Sequence, residues 1–167
     1  MMFRQLEIGE TMTESWEVEK WKQVLVSAER RKVDARVLSH TESFEVAQAS
    51  LNEFDVTVNG GNLTMGGDPS WLPVDPYERF ISHFLQHDPK VPAYIFFDYA
   101  SPKMKVVWIE TAYEFSQVLW DTEIMEYFVA ADDLSFLFCA NRYCLEFAGS
   151  AVDKIPSCLY SGQDRTV

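Results

Sequence analysis

From Glu14 to Lys32 the run ESWEVEKWKQVLVSAERRK spaces Trp21, Val24, Leu25 and Ala28 at steps of one, three and four. Those steps lay the four side chains on one face of a helix, and Thr13 or Ser15 can cap its start. The spacing predicts a first helix ending in Arg30, Arg31 and Lys32, where positive charge complements the helix dipole and needs no nucleic acid to explain it. A second helix is expected over TESFEVAQASLNEF, opening at Thr41 with Phe44, Val46, Ala47 and Leu51 on overlapping faces. The period then shortens to two. In FDVTVNGGNLTMGG, two alternating runs flank Asn59-Gly60-Gly61, residue types that accept positive φ, so a β-hairpin is expected.

The segment GGDPSWLPVDP, with Pro69, Pro73 and Pro76, reads as a loop that carries Trp71 as a lid over the core. Pro76 suits the first turn of a third helix running to His87, before Asp88-Pro89. AYIFFDY and MKVVWIE read as strands joined by a turn at Ser101-Pro102-Lys103. TAYEFSQVLWDTE reads as a helix holding Tyr113, Phe115, Val118 and Leu119, and EYFVAAD as a further strand. The closing hairpin is FLFCA and YCLEFAG. A two-residue turn at Asn141-Arg142 would pair Cys139 with Cys144, Phe138 with Leu145 and Phe136 with Phe147. One face of it carries Phe136, Phe138, Ala140, Tyr143, Leu145 and Phe147. Leu137, Cys139, Cys144, Glu146 and Ala148 fall on the other, expected to be the less buried. Hairpins outnumber strand-helix-strand units, so the fold class expected is α+β: a mostly antiparallel sheet with helices packed on it, in a single domain over residues 1–160, with a polar tail at 161–167.

Composition agrees with one packed core. The chain has 167 residues, 47% of them hydrophobic, and a chain of this size buries roughly 70% of its unfolded surface. Three cysteines, Cys139, Cys144 and Cys158, are an odd set that argues against a secreted disulfide framework. The cysteine pair in the last hairpin is therefore expected to be reduced and structural. The start MMFRQLEIGETM lacks the basic flank and apolar run of a secretory signal, and no apolar run is long enough for a membrane span. A soluble cytoplasmic protein is the expectation.

Charge changes the picture more. The formal net charge is −12, and residues 51–150 hold 15 acids against 5 bases. From Val106 to Asn141 no Lys or Arg occurs, while Glu110, Glu114, Asp121, Glu123, Glu126, Asp132 and Asp133 all fall in that window. Such a field repels nucleic acid and anionic membrane and attracts basic proteins; it also serves solubility.

Catalytic patterns are sparse. His83 and His87 stand four apart on the expected third helix, a spacing that can bind one metal together with a carboxylate such as Asp88, but Phe84 occupies the place where a metallopeptidase helix carries its Glu. Solvated imidazoles near a helix C-terminus account for the pair more simply. Asp132-Asp133 offers two adjacent carboxylates, a pattern shared by turns and by acid-base or magnesium sites. The glycines of NGGNLTMGG sit in a hairpin, away from the strand-to-helix junction where a phosphate loop belongs, and no cysteine or serine sits in a nucleophile elbow. No cofactor and no metal are expected.

If TAYEFSQVLWDTE is helical from its first residues, Glu110, Glu114, Gln117 and Asp121 share a stripe, and Glu123, Glu126, Asp132 and Asp133 follow on the next loop, strand and turn. With no base among them, they are expected to form one negative surface around Trp120, the aromatic placed to anchor a partner. The layout VVWIE, AYEFSQVLW, then EYFVAADDLSFLFCANRYCLEFAG resembles the ends of small acidic bacterial immunity proteins from contact-dependent-inhibition and other polymorphic-toxin systems. That resemblance implies a cytosolic protein that binds and neutralises a cognate toxin, often a nuclease with a basic cleft. It implies no enzyme activity and assigns no contact residues. A DNA-mimicking regulator from a phage or mobile element, and a metal-dependent hydrolase using His83 and His87, are the alternatives.

Overall fold

The computed structural model describes residues 11–59, 62–65, 70–73, 91–97, 104–122, 124, 126–140 and 144–153. The expected helix from Pro76 to His87 with Asp88, the turns at Ser101-Pro102-Lys103 and Asn141-Arg142, Glu123, and the tail 161–167 lie outside the described residues, as does the side chain of Trp71.

In chain order the elements are α1 (Thr11–Arg31), β1 (Ala35–Val37), α2 (His40–Glu53), β2 (Val56–Asn59), β3 (Asn62–Met65), β4 (Ser70–Pro73), β5 (Ala93–Phe96), β6 (Val107–Ile109), α3 (Ala112–Trp120), β7 (Tyr127–Ala131), β8 (Phe136–Ala140), β9 (Cys144–Gly149) and α4 (Ser150–Asp153). Seven strands form one sheet in the order β1-β6-β5-β7-β8-β9-β4, and every pairing in it is antiparallel. Strands β2 and β3 make the expected hairpin by themselves. The protein is thus α+β with an antiparallel sheet and helices packed on it. No helix among the described residues is long and apolar enough to cross a membrane.

Helices cover both faces of the sheet. Val24 and Ala28 of α1 and Phe115, Val118 and Leu119 of α3 pack over Ile95, Ile109, Val129, Phe136, Phe138 and Phe147. On the opposite face Ala47 and Leu51 of α2, with Leu38, Met104 and Val106, cover Phe96, Phe128, Leu137 and Cys139. Aromatic rings fill both layers: Phe115 lies 6.1 Å from Phe138, and Phe96 stacks on Phe128 at 4.9 Å. Buried from both sides, β7 and β8 are buried at every position and lose the alternation of a half-exposed strand. That overturns the expectation of a less buried second face at Leu137 and Cys139. Cys139 is 2% exposed there.

Three further expectations are corrected. Ser39 rather than Thr41 opens α2, in a reciprocal capping box with Glu42. On that helix Phe44 is exposed, and the buried face is Ser43, Ala47, Ser50 and Leu51. The serines are inside because their hydroxyls have work: Ser43 Oγ accepts from Val106 N at 3.1 Å, and Ser50 Oγ donates to Val46 O at 2.9 Å. SWLP is a strand rather than loop, and its Pro73 is tolerated because β4 lies at the sheet edge. The β8–β9 register pairs Ala140 with Leu145, Cys139 with Glu146 and Phe138 with Phe147, two residues away from the expected one. A shift of two keeps every side chain on its face, so the apolar set survives while the opposed cysteines do not.

Strand β1 was not expected at all. Its three residues exist as a strand through pairing with β6, framed by the bonds Leu38 N to Val106 O and Glu110 N to Asp34 O.

Candidate functional site

The register gathers acids at one end of the sheet. Ala35 pairs with Ile109, Ile109 with Ala93, and Ala93 with Ala131. The next residue outward on each strand is Asp34, Glu110, Pro92 and Asp132 in turn, and Asp132 N donates to Pro92 O at 2.9 Å. Asp34, Glu110, Asp132 and the adjacent Asp133 are all exposed. With neighbouring strands roughly 4.8 Å apart, the row from Asp34 to Asp132 spans about 14 Å. Lys32 and Arg36 are the bases nearest to it in the chain, and Arg36 lies 5.3 Å from the ring of Trp108, its cross-strand neighbour.

Asp34 was not among the expected site residues. It precedes the unforeseen strand β1 and stands far from the acidic window in sequence; only the β1–β6 register reveals it.

The turn between β7 and β8 holds its two carboxylates differently. Asp133 Oδ1 accepts from Ser135 N at 2.9 Å, and hydrogen bonding from Ser135 keeps this carboxyl below the usual aspartate range. Partial burial, then the neighbouring Asp133 charge, pushes Asp132 upward. Asp133 is therefore a turn former as well as a surface charge.

The expected single acidic face does not form around α3. The helix begins at Ala112, so Glu110 ends β6 and lies off the helical stripe, while half-buried Glu114 sits in the first turn. Gln117 and Asp121 face α1. Arg31 grips Asp121 through Nε at 2.7 Å and Nη2 at 2.9 Å, and its Nη1 donates to Gln117 Oε1 at 3.3 Å. Ser27 Oγ adds a bond to Asp121 Oδ2 at 3.3 Å. The hydrogen bonds from Arg31 lower the Asp121 pKa, and Asp121 raises that of Arg31. A base distant in sequence has thus reached the window that contains none.

Glu126 and Asp132 flank β7 at opposite ends, about 20 Å apart at roughly 3.3 Å per residue. Glu110, Asp132 and Asp133 therefore share the sheet end with Asp34, whereas Glu126 lies at the other end and Asp121 is held by α1. Trp120, at the last turn of α3, is 68% exposed. Glu123 lies outside the described residues, as do His83 and His87.

Cys139 is buried with its thiol pushed up to about 12, first by burial and then by the charge of Glu146. A thiol in that environment is a poor nucleophile. Among the described residues no three His, Cys, Asp or Glu side chains stand together as a metal-binding group. No family model, no curated protein and no solved structure matches the chain.

Proposed function

We propose that this protein is a stoichiometric inhibitor of the immunity type, which binds a basic cognate toxin through the acidic end of its sheet. The observation that carries the reading is the sheet end where strand register aligns Asp34, Glu110 and, across Pro92, Asp132, with Asp133 next to it in the β7–β8 turn: four exposed carboxylates. A cleft built to hold phosphates presents Lys and Arg at comparable spacing, so a row about 14 Å long can meet several of them at once. Net charge of −12 draws such a partner in, which raises the association rate more than the intrinsic contact strength. Trp120, exposed on the neighbouring helix, supplies the aromatic surface that charge alone lacks. Occlusion needs no chemistry from the inhibitor itself.

The reading expects a toxin gene beside this chain's gene, and its test is binding to the catalytically inactivated domain of that toxin, measured at rising salt. Replacing Asp34, Glu110, Asp132 and Asp133 by Asn or Gln is expected to slow association at least tenfold at low salt and to flatten its salt dependence. Unchanged association in the fourfold variant removes the reading.

A further inference from the structure

Strand register lines up three side chains one step inward from the acidic sheet end. Trp108 stands opposite Arg36 on one side and Tyr94 on the other, and both rings are partly buried at the border of the core that α2 covers. The ladder continues outward, since Glu110 N donates to Asp34 O and Asp132 N to Pro92 O. Side chains two apart share a face of a strand, so Asp34 falls on the side of Arg36, Glu110 on that of Trp108 and Asp132 on that of Ala130, about 7 Å further out. The Tyr94 phenol has matching surroundings: partial burial pushes its pKa up, the Asp132 charge adds to this, Arg36 opposes it and Glu42 adds again. One ring already carries a cation. The Arg36 guanidinium lies 5.3 Å from the centre of the Trp108 ring.

Resting on the reading of a basic protein partner, we infer that Trp108 and Tyr94 form a shelf for an arginine side chain of that partner, with Asp34, Glu110 and Asp132 as its carboxylate rim. Arg36 is exposed, so its place on Trp108 shows the ring receiving a guanidinium where solvent reaches. A planar guanidinium stacks on an aromatic face and still offers its N–H fork to carboxylates, which the compact ammonium of lysine cannot do at once. The charge fits as well: Asp34, Glu110 and Asp132 with Glu42 outweigh Lys32 and Arg36, so the shelf keeps an attraction for a second cation. The partner's arginine takes the place of Arg36 on the ring. Arg36, on a strand at the sheet edge, then turns out to water.

The experiment uses the full chain and two synthetic peptides of equal charge, hexa-arginine and hexa-lysine, with affinities measured by titration calorimetry at low salt. The parent is expected to bind hexa-arginine about tenfold more tightly than hexa-lysine, and Trp108→Leu to cut that ratio about threefold to fivefold. Arg36→Gln strengthens the attraction for both peptides alike but also empties the ring, so it is expected to widen the ratio about threefold. A parent without preference for arginine overturns the inference, as does a parent that binds neither peptide. An unchanged ratio in either variant also overturns it, because the carboxylates alone would then be reading the guanidinium. Should circular dichroism show Trp108→Leu unfolded, the ratio in Arg36→Gln decides. All these outcomes leave the acidic-row reading standing, since that reading is decided by toxin binding in the fourfold variant.

Discussion

Gly149 closes β9 with φ at +74°, and a Cβ placed there would stand 2.2 Å from the Ser135 carbonyl oxygen. Ordinary contact begins at 3.4 Å, so Gly149→Ala forces the two backbones about 1.2 Å further apart. That same carbonyl accepts from Ser150 N at 2.8 Å, a bond which such a displacement stretches beyond hydrogen-bonding range. Left-handed backbone costs a non-glycine residue about 1–2 kcal/mol, and the lost bond about 1 kcal/mol more. The expected destabilisation is therefore about 2–3 kcal/mol, or about 5–10 °C in thermal midpoint for a chain of this size. Urea unfolding followed by far-ultraviolet circular dichroism measures it. Gly149→Asn separates the two causes: asparagine tolerates positive φ better yet carries the same Cβ, so it should recover the backbone share and keep a loss of about 1 kcal/mol from the stretched bond. The effect also reaches the surface, because Ser135 N holds Asp133 in the β7–β8 turn. An alanine variant within 0.5 kcal/mol of the parent would refute the account of this close approach.

Three further outcomes are expected. Ser43→Ala leaves Val106 N without its acceptor in the core and should cost about 1–3 kcal/mol in the same urea assay, while Phe44→Ala on the exposed side of α2 should change little. Alkylation of the native protein at pH 8, mapped by peptide mass spectrometry, should label Cys144 well before Cys139, whose thiol is pushed up to about 12; equal rates would contradict the burial of that strand face. In a carboxyl NMR titration Asp132 should take up its proton before Asp133 on acidification. The signs oppose each other: the lowered Asp133 contributes stability that is lost as pH falls through its folded value, whereas the raised Asp132 favours the folded state as pH falls through its own.

The reading of the chain succeeded where local pattern and tertiary structure agree. The spacing of Trp21, Val24, Leu25 and Ala28 marked α1, and the alternation around Phe136 and Phe147 marked which side chains share a face of the last hairpin. It failed where pairing partners decide. ARV has no strand signal of its own and becomes β1 only beside β6, and SWLP becomes β4 only beside β9. Hydrophobicity alone did not single out the buried face of α2, where serine hydroxyls with buried partners lie inside and Phe44 lies outside. The acidic window was visible as composition, but its geometry was not. Asp34 joined it through strand register, and Asp121 left it through the reach of Arg31, two events that no window of sequence contains.

The burial of β7 and β8 from both sides bears on how such a protein can change its partner. Every residue of those strands is enclosed, so substitutions there are tested first by packing. Asp34, Glu110 and Asp132 sit just past the last paired residues, on exposed chain, where swaps of charge cost the fold little, whereas Asp133 also holds the β7–β8 turn through Ser135 N. On the proposed reading, folding and recognition would occupy separate stretches of the sheet. Surface charges on such a plan can change one at a time while the interior stays constant as the frame.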